Sequence, residues 1–338
     1  MTKESVNTFA GNLFKIVFII FIFLCIFLFS YFAYLLYMDM PREPQNLNVI
    51  MNNIPQTTIQ DNSSFLEIKQ FHSNMKFNHN NLSYSIDLNC PDFKRQRMIG
   101  AFNYLSEEIS YISFQETFDN PDIYVTCSEI EKLTPESDSP KDFFIAGEGG
   151  AKEIIQSGKY NIITNGTISL YKSPHGAIEC DFPNIEIHEL IHVFGFDHSK
   201  NKNSLMNPLL DSCDQLLDPI ILEELKRLYS EKNLPDLYFE DVKAVKKGRY
   251  LDFSITIKNM GTINAKNINF LVLDDGEIIE KKEIDEINFG AGLLFEVENL
   301  KLAHLDPKEI KFVIDKDNLI QELDEKNNVV IVKSNNSK

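Results

Sequence analysis

Three hydrophobic patterns divide the chain. From Ile16 to Met38 every residue lacks a formal charge and most are Ile, Leu or Phe. As a helix this run spans about 34 Å, enough to cross a bilayer. A cleaved signal peptide would have a shorter apolar core and a small-x-small cleavage site, whereas SYFAYLLYMDMP at 30–41 offers none. The pattern therefore predicts a short cytoplasmic tail (1–12) and a retained transmembrane signal anchor (13–38). Residues 39–80 are rich in Asn and Gln with scattered Pro and read as a stalk. Its last part, FLEIKQFHSNMKF, is expected to pack on the next domain, with His72 and His79 as ordinary surface residues. The second pattern is helical: Ile187, Leu190, Ile191 and Phe194 recur at i, i+3, i+4 and i+7, a stripe that anchors a helix to a core. The third follows a boundary at Asn233, Leu234 and Pro235. Leu251, Phe253, Ile255 and Ile257 alternate with polar residues, as do Ile268, Phe270 and Val272, then Ile310, Phe312 and Ile314. Period-two runs separated by turns predict an antiparallel β-sandwich over 233–338. Ahead of the helical stripe, YNIITNGTISLY at 160–171 reads as a hairpin turning at Asn165 and Gly166. GEGG at 147–150 has too little of a phosphate-loop pattern for a nucleotide site and reads as a flexible loop.

The polar residues within the helical stripe carry the chemistry. HELIHVFGFDH at 188–198 places His188 and His192 four apart, on one helical face, where both imidazoles can reach one ion. Gly195 ends the helix and lets the chain return with His198 as a third ligand. Three histidines leave the fourth tetrahedral position for water, as hydrolysis requires. Glu189 is rotated about 100° from His188 around the helix, so it is free to act as general base. The constellation reads as a zinc peptidase site.

This motif resembles that of the metzincins, and SLMNP at 204–208 extends the match, because Met206 stands where metzincins carry a structural methionine in a tight turn beneath the metal. Ser199 after the third histidine and Pro208 after the methionine are similar to matrixins, the matrix-metalloprotease clan. LSYSIDLN (82–89), FKRQRMIGAFNYLSEEI, YISFQE and DIYVTCS resemble the first strand, first helix and next two strands of a matrixin catalytic domain, and LDPIILEELKRLYS (217–230) its closing helix. The resemblance implies a catalytic domain over 81–232 with a twisted mixed sheet and a zinc-binding helix. It also implies a sheet edge near 160–171 where an extended peptide adds as a further strand. The chain departs from the matrixin pattern in having Asn207 where an aromatic residue usually follows the methionine. No His-rich loop for a second zinc is present, since His175 is the only histidine between Asp142 and Asp181 and reads as an ordinary loop residue. No cysteine lies between residues 26 and 89 to mask the metal. PDLYFEDVKAV, Asn259-Met260-Gly261 and ELDEKNN (322–328) resemble the cell-adhesion-related CARDB domain, an immunoglobulin-like module of surface proteins.

Composition refines this picture. The net charge of -17 and the lack of any Lys/Arg-rich block exclude nucleic acid as an expected partner. Lys3 and Lys15 precede the span and Asp39, Arg42 and Glu43 follow it, a positive-inside bias that places the catalytic domain outside the cell membrane. Cys25 lies in the span, leaving Cys90, Cys127, Cys180 and Cys213, for which three pairings are open in an oxidising compartment. The matrixin resemblance implies Cys90 with Cys127, near the ends of neighbouring strands, and Cys180 with Cys213, which bracket the zinc helix and Met-turn. Asn62, Asn81, Asn165 and Asn335 open glycosylation sequons. Asp315, Asp317, Glu322, Asp324 and Glu325 offer oxygen ligands suited to a structural calcium ion, although a solvated, charged end of the sandwich is the simpler reading.

The sequence thus predicts an α+β metzincin-like catalytic domain, an all-β immunoglobulin-like sandwich and an N-terminal transmembrane helix. The expected function is that of a membrane-anchored, outward-facing zinc metalloendopeptidase. Its water is activated by one zinc on His188, His192 and His198, with Glu189 as general base and Met206 structural. Expected partners are protein or peptide substrates, the membrane, and a surface protein or glycan on the C-terminal domain, which is expected to fold and act separately. The competing reading is a surface adhesion protein that uses the metzincin fold as a metal-stabilised scaffold.

Overall fold

The computed structural model describes residues 3–51, 69–133, 144–174 and 180–334. His175, Asn62 and Asn335 lie outside them. Helix α1 (Lys3–Asp39) extends through the polar tail. Its stretch Lys15–Asp39 is long and apolar enough to cross a membrane, and none of it is buried in the protein.

The mixed sheet of the first domain contains β2 (Met75–Phe77), β3 (Asn81–Ile86), β4 (Ser113–Glu116), β5 (Ile123–Cys127), β8 (Gly147–Ser157) and β9 (Tyr160–Leu170). A short ladder joins β6 (Lys132–Leu133) to β7 (Phe144–Ile145). The order runs β4-β3-β5-β9, all parallel, with β2 parallel to the first half of β9 and β8 antiparallel along the other edge of β9. Helices α2 (Asp92–Glu108) and α3 (Asn184–Val193) share a core with this sheet: Met98, Phe102 and Leu105 meet Leu82, Ile86, Val125 and Ile168 beside Ile187, Leu190 and Ile191. Helix α4 (Pro219–Ser230) closes the domain with Ile221, Leu225 and Leu228 at helical spacing, all fully buried.

Two expectations fail within this sheet. GEGG is not a loop but the start of edge strand β8, because its small residues let a strand lie against α3. Asn165 and Gly166 are not a turn but lie within β9, paired to Glu153 and Ala151. The reason is packing: a Cβ on Gly166 would lie 2.5 Å from Val193 Cγ1, so this glycine lets α3 approach the sheet. The β8–β9 connection instead turns at Gly158, whose φ is +55°.

The second core belongs to the sandwich. Its strands are β10 (Leu237–Lys247), β11 (Tyr250–Asn259), β12 (Ala265–Asp274), β13 (Glu277–Ile287), β14 (Gly292–Lys301), β15 (Ile310–Ile314) and β16 (Val329–Ser334). The alternating residues point inward, with Leu251, Ile255, Ile257, Phe253, Phe270 and Phe312 buried together. Asn259 shows why the Asn-Met-Gly sequence suits its position. Its Nδ2 donates to the carbonyls of Ile263 and Ile287, and its Oδ1 accepts from the N–H groups of Asp236 and Gly261.

The stalk expectation also needs correction. Gln45–Met51 forms β1, which lies in the sandwich between β16 and β10. Leu47, Val49 and Met51 alternate toward the core, a pattern too short to stand out in a polar stretch. Further along the expectation of packing holds: Phe71 N–H donates to the Gly195 carbonyl and Asp197 N–H to the Lys69 carbonyl, which fastens this part of the stretch to the first domain. The acidic end of the sandwich is only partly solvated. Asp315 accepts the N–H groups of Leu319 and Ile320, while Glu322 accepts those of Leu237 and Asn328; both carboxylates are buried as hydrogen-bond acceptors.

The two domains also touch, although the C-terminal one was expected to act separately. At the β8–β9 turn, Ser157 Oγ donates to the Gly261 carbonyl at 2.5 Å.

Candidate metal centre

Helix α3 is buried almost all round. Its apolar stripe enters the core, and its polar side forms the floor of a site. His188 and His192 lie one turn apart. Phe194 caps the helix, and Gly195, at φ +85°, reverses the chain. A Cβ there would also lie 2.3 Å from Met75 Sδ, so both conformation and contact call for glycine. Gln70 fixes the reversed segment, donating through Nε2 to the Phe194 and Met75 carbonyls.

The reversal brings His198 to the other two histidines. The Nε2 atoms are 3.0 Å apart for His188 and His192, 3.2 Å for His192 and His198, and 3.3 Å for His188 and His198. Three nitrogens on a tetrahedral zinc, each bonded at about 2.05 Å, would be about 3.3 Å apart. The outer ring nitrogens fix the tautomers. His188 Nδ1 lies 2.7 Å from the Leu205 carbonyl and His192 Nδ1 lies 2.7 Å from the Phe196 carbonyl. A carbonyl only accepts, so each Nδ1 carries the proton and each Nε2 presents a lone pair to the shared centre. Converging lone pairs repel unless a cation lies between them, and this donor set fits zinc.

The SLMNP turn holds two parts of this arrangement. Leu205 supplies the carbonyl that orients His188, and the Met206 carbonyl accepts Ser199 N–H at 2.7 Å, steadying the chain after His198. Met206 itself is fully buried. Asn207 folds back, donating through Nδ2 to the Ser199 and Asn201 carbonyls, so it braces the turn where an aromatic residue was the usual expectation. Disulfides Cys90–Cys127 and Cys180–Cys213 join the ends of β3 and β5 and close the segment that contains α3 and the turn.

Glu189 lies against the edge strand. Gly149 N–H donates to its carboxylate, while burial pushes the carboxyl up to about 8 and the nearby charges of Glu148 and Glu186 act in the same direction. Burial, reinforced by His192, holds the His188 imidazole down at about 3. Burial also lowers His192 and His198, opposed at His192 by its hydrogen bond to Phe196 and at His198 by Asp197. All three are therefore neutral, ligand-ready bases at neutral pH.

These shifts predict the acid response of the metal-free protein. Because the folded-state pKa of His188 is depressed, its contribution is intact above about 6.5 and is lost as pH falls towards 3. At pH 4.5 the loss is about 2–3 kcal/mol, since two pH units below the unfolded pKa each cost about 1.4 kcal/mol. Urea melts of chelated wild type and His188→Gln at pH 7 and pH 4.5 measure it. A stability difference between the two proteins that does not change with pH would refute the assignment.

Among the described residues, the other histidines stand apart from this centre. His79 pairs with Asp122 at 3.2 Å, and His72 is exposed. Sequence reasoning missed one further group, Asp274, Asp275 and His304, whose ligand-type atoms lie within 4.8 Å of one another. The buried Asp274 accepts His304 N–H at 2.9 Å there, which fastens a loop to the β12–β13 turn.

A sheet with an antiparallel edge strand thus lies over a helix that carries three converging histidines able to hold one metal ion, and the family-level likeness of this part of the chain is to the metzincin-type metalloproteases. The matrixin family model matches residues 76–219 and the CARDB model residues 234–332, so a matrixin domain precedes a CARDB domain. The matrixin family is zinc-dependent. No curated protein matches the chain. Among solved structures, the chain is similar to the CARDB domain of a Pyrococcus furiosus protein, crystallised in complex with di-metal ions. The two share 19% identity over 30% of this chain and 88% of that one, with a TM-score of 0.26. A solution NMR structure of the same domain gives 19% identity over 30% and 95% of the respective chains, with a TM-score of 0.25.

Proposed function

We propose that the protein is an outward-facing, membrane-anchored zinc metalloendopeptidase. His188, His192 and His198 hold the metal and Glu189 is the general base. The observation that carries this reading is the set of three Nε2 atoms 3.0–3.3 Å apart, with two tautomers fixed by carbonyls and a buried carboxylate on the same helix. When bound, zinc supplies Lewis acidity that polarises the scissile carbonyl and makes water more acidic. Glu189 takes the proton from the attacking water and delivers it to the leaving amine. Gly149 N–H holds the carboxylate in place. Among the described residues, β8 has a strand partner only on its β9 side. An extended substrate adds to its open edge, which presents the backbone to the histidines and favours cleavage within a chain.

Lys15–Asp39 is the anchor, and the two disulfides suit an oxidising exterior. Catalysis is assigned to 81–232 with the preceding β2, and 233–338 to the accessory domain. The test is to incubate the purified ectodomain with a library of unstructured peptides and map the new termini. Internal cleavage that a chelator abolishes supports the endopeptidase. Zinc binding without any cleavage would favour the surface scaffold.

A further inference from the structure

The C-terminal sandwich has a partner built into the chain. Strand β1 is inserted between two of its strands, pairing with β16 from Leu47↔Ser334 to Met51↔Val330 and with β10 at Gln45↔Lys246 and Asn46↔Val245. It therefore makes the eight strands one continuous sheet. β1 lies outside the CARDB match and directly follows the anchor helix. Its removal would leave unpaired backbone groups along β10 and β16 and expose the core beside Leu47, Val49 and Met51. The helix meets the same domain, with Asp39 3.0 Å from Lys301 Nζ and 3.8 Å from Arg249. These ion pairs are too exposed to hold much alone, so the strand carries the attachment.

We propose that the sandwich acts as the receptor for the protein's own membrane anchor. By gripping residues 45–51, it keeps the protease on the membrane through strand pairing, even when the chain between β1 and the catalytic domain is cut. The occupant is the chain's own β1. The proposal rests on the anchor reading for its cellular consequence, but the pairing itself can be tested separately.

A site-specific protease sequence is inserted between Met51 and Lys69 of the full-length protein, which is cut either in membranes or in detergent. The expected result is that the ectodomain still sediments with membranes and that the two fragments copurify in detergent until urea is added. Leu47→Asp combined with Val49→Pro places a carboxylate in the core and a residue that cannot donate, with a fixed φ, inside the strand. This variant should sediment normally while intact but be released on cutting. Zinc content of the intact variant reports that the catalytic domain is folded. If the variant misfolds, hydrogen exchange of intact wild type decides, with slow exchange expected at Leu47–Met51.

Prompt separation of the wild-type fragments in detergent, or unprotected exchange at β1, overturns the proposal. So does copurification of a cut copy with a differently tagged intact copy, since the strand would then come from a second molecule. If intact protein fails to sediment while its cut fragments copurify, the anchor reading falls and the strand receptor stands.

Discussion

Glu189→Gln is expected to bind zinc as wild type does and to lose peptide cleavage by about 10²–10⁴-fold, the range of general acid–base catalysis. The side chain keeps its shape, and the three Nε2 atoms and their carbonyl partners are untouched. What disappears is a base able to accept the water proton. The same change should stabilise the metal-free protein. Because the folded-state pKa of Glu189 is raised to about 8, its contribution is fully present below about 4.5 and is lost as pH rises through 8. A neutral amide escapes that loss, a gain of about 3–4 kcal/mol at pH 7. His192→Ala should behave differently, losing both zinc and turnover. Metal analysis, cleavage kinetics and chelated melts separate these outcomes. Near-normal turnover in Glu189→Gln would remove Glu189 from the reaction.

The second large effect is expected one strand away. A Cβ on Gly149 would lie 2.0 Å from the Glu189 carbonyl oxygen and 2.7 Å from its carbonyl carbon. These are backbone atoms and no rotamer change can relieve the contact. Gly149→Ala must push β8 and α3 apart, at a cost of about 1–3 kcal/mol. It should also lower kcat/KM by about 10²-fold, because base and substrate edge lose their alignment. Gly150 is the control, since a Cβ there meets nothing within 4 Å. Gly150→Ala should retain wild-type melting and turnover. Equal activity of the two alanine variants would show that the approach of β8 to α3 does not position the base.

The convergence of His188, His192 and His198 was legible because their spacing lies within one helix and the turn that follows, where periodicity and a glycine suffice to place them. The groups orienting them were not. Leu205 and Phe196 act through carbonyl oxygens, and nothing about a leucine or phenylalanine side chain announces that role. Glycine misled twice for one physical reason. Gly149 and Gly166 carry the local signature of a loop and a turn, yet both allow close packing against α3. Strand β1 was hidden because its partners β10 and β16 lie far along the chain and its three inward residues sit among Asn and Gln. The sandwich strands were plain, since each repeats the period-two pattern over several residues. Asp315 and Glu322 looked solvated by composition, but local backbone donors make burial tolerable.

The most direct test of the central claim follows cleavage of one unstructured peptide while zinc is removed and restored. The account predicts that turnover falls with bound zinc, stops in the chelated protein, and returns in proportion to added zinc up to one equivalent at the three histidines, while Glu189→Gln takes up the same zinc and remains inactive. Undiminished cleavage by protein stripped of its metal would contradict it.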